Sequence, residues 1–307
     1  MDGTFKMAPD GFKQLFTING FVSTIGESNG AMKQLPFFFS FMRCRKAIDY
    51  QAIFEAIREL MGVYKLTDVV CDFEKGVWKA VKNVFPGVDV FGCNFHWKQA
   101  VMRKSRNFGL ASSYSQRGSF EREVIQNLLC LCYLPSSDIA LEFASIEVLV
   151  NSRKHINLTK LVTYVRNVWI DDRQMGPSSW SVYNRAIRTN NDCEGLHNRW
   201  NRRSRDRRNF YWILSVIGNE TKNVSRNLEL LHYGVITRKQ RQASVEHQKG
   251  LFHLWCQHTT NSWSSSMLLQ RVVEFMAPDL PRSDQLHDIQ EYPSPLDIEE
   301  DFDPYCT

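Results

Sequence analysis

Apolar and polar residues recur with two different periods in the first hundred residues, and these periods predict strands followed by helices. Three short runs have the composition of β-strands, at residues 2–6, 12–19 and 35–42, and turn sequences separate them. Residues 50–61 then place Ile53, Phe54 and Ile57 on one helical stripe with Leu60 and Met61. The pattern therefore predicts three antiparallel strands and a helix.

The stretch from Thr67 to Gln99 is predicted to form one complete β-α-β unit. Val69 to Cys71 form an apolar run suited to a strand buried on both faces, and Asp72 follows it directly. Apolar residues at spacings of three and four follow Glu74 until Pro86 ends the helix, and residues 88–91 form the next strand. The predicted order is βββαβαβα, a mixed α/β sheet.

The remainder of the chain is predicted to be mainly helical. Residues 111–168 show helical periods and no strand-like alternation, and helical character is expected to fade near 255–267. We therefore divide the chain into a core at 1–110, an all-helical insertion at 111–185, a completion of the core at 186–277, and a tail at 278–307. The tail is rich in acids and proline and is predicted to be disordered.

Composition is that of a soluble globular protein, with 43% apolar and 23% charged residues. The apolar runs are too short to span a bilayer, and residues 1–4 do not begin a secretory signal. The eight cysteines are scattered, which favours buried thiols and a reducing compartment over a disulfide framework.

The net charge of +5 conceals an asymmetry between the tail and the rest of the chain. Residues 278–307 hold nine acids and one base, so the preceding residues carry 37 bases, 24 acids and a net charge of +13. A body of this sign favours a polyanionic partner. A solvated basic surface with no ligand is the alternative interpretation.

Three acids stand out by their positions in the predicted elements: Asp2 on the first strand, Asp72 after the fourth, and Glu194 near the start of a late helix. Each has a simpler interpretation, respectively as a turn residue, a helix N-cap and a partner of the helix dipole. Together they fit an arrangement in which carboxylates hold two divalent metals that activate the attacking oxygen and stabilise the leaving oxygen of a phosphodiester.

Four short motifs, in this order, resemble the transposase domain of Mutator-like elements (MULE). They are Asp2-Gly3-Thr4-Phe5-Lys6, Cys71-Asp72-Phe73-Glu74, Gly92-Cys93-Asn94-Phe95-His96-Trp97 and Thr189-Asn190-Asn191-x-x-Glu194. The resemblance implies a ribonuclease H-like fold, interrupted by the helical insertion before the last catalytic helix. It also implies a DDE triad of Asp2, Asp72 and Glu194 that holds Mg²⁺ or Mn²⁺. Glu121, Glu123, Glu142 and Glu147 in the insertion compete with Glu194 for the third position.

The resemblance further assigns Cys93 and His96 to the family's cysteine-histidine signature. A zinc site needs about four ligands, so these residues supply half of one, and Cys130, Cys132 or His197 are candidates to complete it. The alternative role for His96 is a polar anchor or a DNA contact.

A basic cluster follows Glu194 in the sequence and is predicted to contact nucleic acid. Its members are Arg199, Trp200, Arg202, Arg203, Arg205, Arg207 and Arg208. The arginines would contact phosphates and Trp200 would stack on a base, although a solvated basic face is the alternative.

Three functions remain open at the level of sequence. The first is a MULE transposase catalytic domain that cuts and joins DNA in the nucleus as a multimer, in a truncated copy without its N-terminal DNA-binding module. The second is a catalytically idle, host-adapted nucleic-acid-binding protein derived from such a transposase. The third is a ribonuclease H-like nuclease that hydrolyses DNA without strand transfer.

Overall fold

The computed structural model describes residues 1–23, 32–204, 209–233, 242–278 and 280–281. These residues form two compact units, and the division falls inside one strand. The first unit holds residues 1–90 and 190–233, and the second holds residues 91–189 and 242–281. Of the predicted tail at 278–307, all residues except 278, 280 and 281 lie outside the described residues.

Three antiparallel strands open the first unit. The strands are β1 (Asp2–Thr4), β2 (Gln14–Ser23) and β3 (Met32–Met42), with β2 in the centre. Asp2 lies opposite Thr17 in the register, and an irregularity at Ile18 and Asn19 shifts the pairing of β2 with β3. The prediction of three antiparallel strands is confirmed, although β2 and β3 are longer than the sequence runs suggested.

The predicted β-α-β unit follows. Helix α1 (Ala47–Met61) leads to β4 (Asp68–Cys71), α2 (Lys75–Val84) and β5 (Asp89–Gly92), and β4 pairs with β5 in a second sheet. The backbone nitrogen of Met1 donates to the carbonyl of Val70 at 2.8 Å, so the start of β1 lies beside the end of β4. The protein is therefore a mixed α/β structure, and the described strands are paired in two sheets rather than in one continuous sheet.

Helices make up most of the remaining described residues. In chain order they are α3 (Asn94–Asn107), α4 (Ala111–Ser115), α5 (Phe120–Cys130), α6 (Ser136–Ser152), α7 (Ile156–Val165), α8 (Pro177–Trp180), α9 (Asn191–Ser204), α10 (Phe210–His232), α11 (Gln242–Thr260) and α12 (Ser265–Met276). Residues 111–168 are helical, as predicted. The expected loss of helix near 255–267 is wrong, since α11 and α12 occupy most of this stretch. None of the helices in the described ranges is long and apolar enough to cross a membrane.

Each unit has its own apolar core. In the first unit, Met7 and Leu15 pack against Leu196, Trp200 and Ile213, which fixes α9 and α10 against the three-stranded sheet. In the second unit, tryptophans from α3, the segment after α7 and α8 pack together. The ring of Trp97 stacks on Trp180 at 4.2 Å and meets Trp169 edge-on at 5.0 Å. The predicted insertion, residues 111–185, lies wholly in this second unit.

Candidate active site

Asp2 and Asp72 lie at neighbouring strand ends in the first unit. Asn190, which immediately precedes α9, contacts Asp72 and the residue before Asp2: its amide nitrogen donates to Asp72 Oδ1 at 3.0 Å and lies 3.5 Å from the carbonyl oxygen of Met1. The indole nitrogen of Trp78 donates to the Asp72 carbonyl at 2.7 Å. Asp72 precedes α2 by three positions and is not its N-cap, which is Glu74.

Helix α9 presents one face to this pair of strand ends. Asn190, Glu194 and His197 are spaced four and three positions apart, so their side chains share a helical face. The backbone nitrogen of Glu194 donates to the Asn190 carbonyl at 3.2 Å, which begins the helix at this point. Glu194 is half-buried. The face that contacts Asp72 through Asn190 is therefore the one that carries the third predicted acid.

His197 is the neighbour of Asp2 that sequence reasoning did not find in this role. Its Nδ1 lies 3.2 Å from Asp2 Oδ2, and its Nε2 lies 2.9 Å from the Thr17 hydroxyl oxygen. The Thr17 hydroxyl donates its single proton to the Asp2 carbonyl at 3.2 Å, so it accepts a hydrogen bond from Nε2. His197 therefore bonds Thr17 and lies beside the Asp2 carboxylate, both in the first unit, and its role in a zinc site stays a prediction.

Glu74, two residues after Asp72, has a raised pKa. Burial raises the pKa of Glu74 to about 7, and the charges of Asp72 and Asp2 add to the increase. Arg45, 3.8 Å from Glu74, and the Tyr50 hydroxyl, which donates to Glu74 at 2.7 Å, act in the opposite direction. Burial is thus the main cause of the raised pKa of Glu74, and the nearby carboxylates of Asp72 and Asp2 contribute less.

The donor set is chemically suited to magnesium or manganese. Asp2 is buried and offers a carboxylate, Asp72 and Glu194 offer two more, and oxygen ligands of this kind are those that hard divalent cations prefer. A buried carboxylate is also costly unless it is paired or coordinates a metal. The donor chemistry suits a divalent cation, although within the described residues Asp2, Asp72 and Glu194 do not form a group whose carboxylate oxygens all lie within 4.8 Å of one another.

Cys93 and His96 occupy the first turn of α3, in the second unit. Both are buried, and Cys93 Sγ lies within 4.8 Å of a ring nitrogen of His96. Burial raises the pKa of the Cys130 thiol to about 12, and the Cys132 thiol donates to Asn94 Oδ1 at 3.1 Å. A zinc ligand is a thiolate and the bound metal itself lowers the pKa of the thiol, so the role of Cys130 or Cys132 in a zinc site stays a prediction.

The basic cluster divides between surface and core. Arg199 pairs with Glu220 at 2.7 Å, while Arg202 and Arg203 are exposed in the last turn of α9. Trp200 is fully buried in the core of the first unit, with its ring 5.8 Å from that of Phe39. The predicted stacking role of Trp200 is therefore corrected, because its ring is not accessible to a base. Arg205, Arg207 and Arg208 lie outside the described residues.

Residues 1–100 match the family model of the MULE transposase domain. The resemblance predicted from the four motifs is thereby confirmed for this stretch, which contains Asp2, Asp72, Cys93 and His96. The match supports a transposase-related function, with the DNA interaction and divalent metal use that such a domain implies. Comparisons with curated proteins and with solved structures found no match.

Proposed function

We propose that this chain is the catalytic domain of a DDE-type DNA transposase, which cleaves a DNA phosphodiester and joins the freed 3′ hydroxyl to a target. Asp2, Asp72 and Glu194 would hold two Mg²⁺ or Mn²⁺ ions. The observation that carries the proposal is the pair of contacts made by Asn190, just before the helix that bears Glu194, with Asp72 Oδ1 and with the carbonyl of Met1, the residue before Asp2.

The order of the elements supports the same assignment. The described chain runs β1, β2, β3, α1, β4, α2, β5 and α3, with Asp2 on β1 and Asp72 at the carboxyl end of β4. Acidic residues at the ends of adjacent strands are the arrangement that the ribonuclease H-like fold uses, and the MULE match covers both strands. A DNA substrate would place the protein in the nucleus.

In this proposal the three acids would bind the metal ions, and Asn190 and His197 would orient two of those acids. Bound metal ions would polarise the scissile phosphodiester and stabilise the charge on the attacking and leaving oxygens. Asn190 donates a hydrogen bond to Asp72 Oδ1 at 3.0 Å, which helps to fix the orientation of that carboxylate. His197 Nδ1 lies 3.2 Å from Asp2 Oδ2 and limits where that carboxylate can turn. These neighbours orient the ligands before any metal arrives, which is how outer-shell contacts raise metal affinity.

Manganese binding tests the proposed metal centre directly. Calorimetric titration of the wild-type chain should show binding that the Asp2→Asn and Glu194→Gln variants lose, because each removes one anionic oxygen ligand. The matched control is Glu220→Gln, which removes an acid of the same unit that pairs with Arg199. Equal binding by all four proteins would show that these acids do not form the site. Joining of a 3′-hydroxyl end to a second duplex distinguishes a transposase from a nuclease that only hydrolyses.

Two substitutions of His197 separate its contact with Asp2 from its contact with Thr17. Asn places an amide N–H near the position of Nδ1, and Gln places one near Nε2, so His197→Asn offers a donor toward Asp2 and His197→Gln offers one toward Thr17. We expect His197→Gln to weaken manganese binding about 10- to 100-fold, the usual effect of losing an outer-shell contact. His197→Asn should stay closer to wild type.

Thermal midpoints of the two His197 variants supply the control. If His197 only fills space, both variants should lose stability and both should bind manganese alike. A weaker affinity in His197→Asn than in His197→Gln would reverse the assignment of the two ring nitrogens.

A further inference from the structure

A second surface of the first unit lies close to the acids and has the composition of a nucleic-acid contact. The turn between β1 and β2 encloses a groove of about 400 Å³, lined by Phe5, Lys6, Ala8, Pro9, Asp10, Gly11, Phe12 and Lys13. We call this the β1–β2 groove. It lies outside the triad and outside the basic cluster on α9.

The β1–β2 groove is a built feature of the fold. Met7, in the middle of the turn, is fully buried in the core of the first unit. Backbone hydrogen bonds from Ala8 to Phe5, from Phe12 to Pro9 and from Lys13 to Met42 fix the path of the chain, at 3.2, 3.0 and 2.8 Å. Gly11 has φ of +85°, a conformation that glycine adopts without strain. The walls are therefore held in place before a ligand binds.

Positive charge surrounds the β1–β2 groove. Lys6 and Lys13 line it, and Asp10 is the single acid among its lining residues. Two arginines that follow β3 lie over its aromatic rings: the Arg43 guanidinium is 5.7 Å from the centre of the Phe12 ring, and that of Arg45 is 5.2 Å from the centre of Phe5. A guanidinium stacked on a ring keeps its planar N–H edge in a fixed orientation, which suits bidentate contact with phosphate.

The number of residues between them limits how far Phe5, the first lining residue of the β1–β2 groove, can lie from Asp2. Phe5 is three positions after Asp2, and an extended chain covers at most about 3.6 Å per residue, so their Cα atoms are within about 11 Å. One DNA strand rises about 3.4 Å per nucleotide, so this separation corresponds to about three nucleotides. A strand whose phosphodiester reacts at Asp2 would pass the β1–β2 groove.

We infer that the β1–β2 groove binds the phosphate backbone of the DNA strand within about three nucleotides of the bond that is cleaved. This inference rests on the proposed function for the identity of the polyanion. Lys6 and Lys13 act as point charges on the phosphates, and Arg43 contacts a phosphate through its stacked guanidinium. Phosphate contacts of this kind fix the register of the strand and carry no base specificity.

The salt dependence of DNA binding tests the inference. A fluorescein-labelled DNA duplex is titrated with the full chain, by anisotropy, at several salt concentrations in EDTA. The Lys6→Gln, Lys13→Gln double variant should lower the magnitude of the slope of log K against log salt by about 1.8, since each phosphate contact contributes about 0.9. The control is Lys65→Gln, Lys79→Gln, which removes two exposed lysines from the same unit and should leave the slope unchanged.

Each other outcome overturns the inference. Equal slopes for both double variants would mean that the β1–β2 groove does not contact phosphates, and metal-dependent cleavage by the same proteins would show that the proposed function still holds. Loss of slope in both would indicate diffuse attraction to a basic surface. If the wild type does not bind DNA, the β1–β2 groove does not bind a DNA strand and the inference is wrong. Manganese calorimetry uses no DNA and would test the proposed metal centre separately.

Discussion

Replacing Asp72 with asparagine should lower the rate of manganese-dependent DNA strand cleavage by about 10³-fold or more. Asparagine has the size and shape of aspartate, and its Oδ1 can still accept the hydrogen bond that Asn190 donates at 3.0 Å. The fold is therefore expected to persist, and the loss is confined to the negative charge. Metal ions stabilise such transition states by several kcal/mol, and about 4 kcal/mol corresponds to about 10³ in rate.

Asp68→Asn is the matched control for this prediction. Asp68 is the first residue of β4, is exposed, and lies four positions before Asp72 at the opposite end of the same strand. Its replacement changes the net charge by the same amount and should leave cleavage within about twofold of wild type, as for other surface changes. Cleavage by Asp72→Asn at the wild-type rate, with an unchanged thermal midpoint, would exclude Asp72 as a metal ligand.

The strand-end acids could be predicted from sequence because the signals that place them are local. The apolar run before Asp72, the helical period after Glu74 and the breaker at Pro86 all lie within one β-α-β unit. Such patterns report directly on which elements form and in which order. They do not report which strands pair, so the division into two sheets was not predicted.

The contacts that complete the candidate site depend on pairs far apart in sequence. His197 meets Asp2 across 195 positions, and Asn190 meets Asp72 across 118. No local period distinguishes these side chains from ordinary polar residues on a helix. For Trp200 the local sequence was misleading. The arginines around it suggested an exposed residue, but α9 packs on the sheet and buries its side chain.

The wrong expectation that helix fades near 255–267, where α11 ends, has a related cause. This helix has buried residues at Leu251 and Trp255 only, and polar side chains occupy most of its other positions. Because the buried stripe is narrow, the sequence gives little helical period. The helix is stabilised by packing within the second unit more than by the helix propensity of its residues. The indole of Trp255 donates to the Tyr133 carbonyl at 2.9 Å, which is one such contact.

Glu74 should make the free energy of unfolding fall as pH rises from about 4.5 to 7. Its pKa is raised from 4.5 to about 7 in the folded protein, chiefly by burial, so the folded state binds the additional proton throughout this window. Stability therefore falls with rising pH wherever the folded state holds more protons than the unfolded state. A shift of this size corresponds to about 3 kcal/mol, lost between the two values.

Glu74→Gln supplies the comparison, because glutamine can still accept the hydrogen bond from the Tyr50 hydroxyl and does not titrate. Both proteins are unfolded with urea at several pH values in EDTA. The difference between their free energies of unfolding should change by about 3 kcal/mol between pH 4.5 and 7, and the variant should be relatively more stable at the higher pH. The contributions of other titrating groups cancel in that difference. Parallel stability curves for the two proteins would contradict the raised pKa of Glu74.

Manganese connects this prediction to the proposed metal centre. The charges of Asp72 and Asp2 contribute to the raised pKa of Glu74, so a divalent cation bound to those carboxylates would reverse the sign of their effect. We expect saturating manganese to lower the pKa of Glu74 and to move the pH window of lost stability to lower values. The same titration with Asp72→Asn should show no such displacement. A window that manganese leaves in place in the wild type would mean that the cation binds elsewhere than at Asp2 and Asp72.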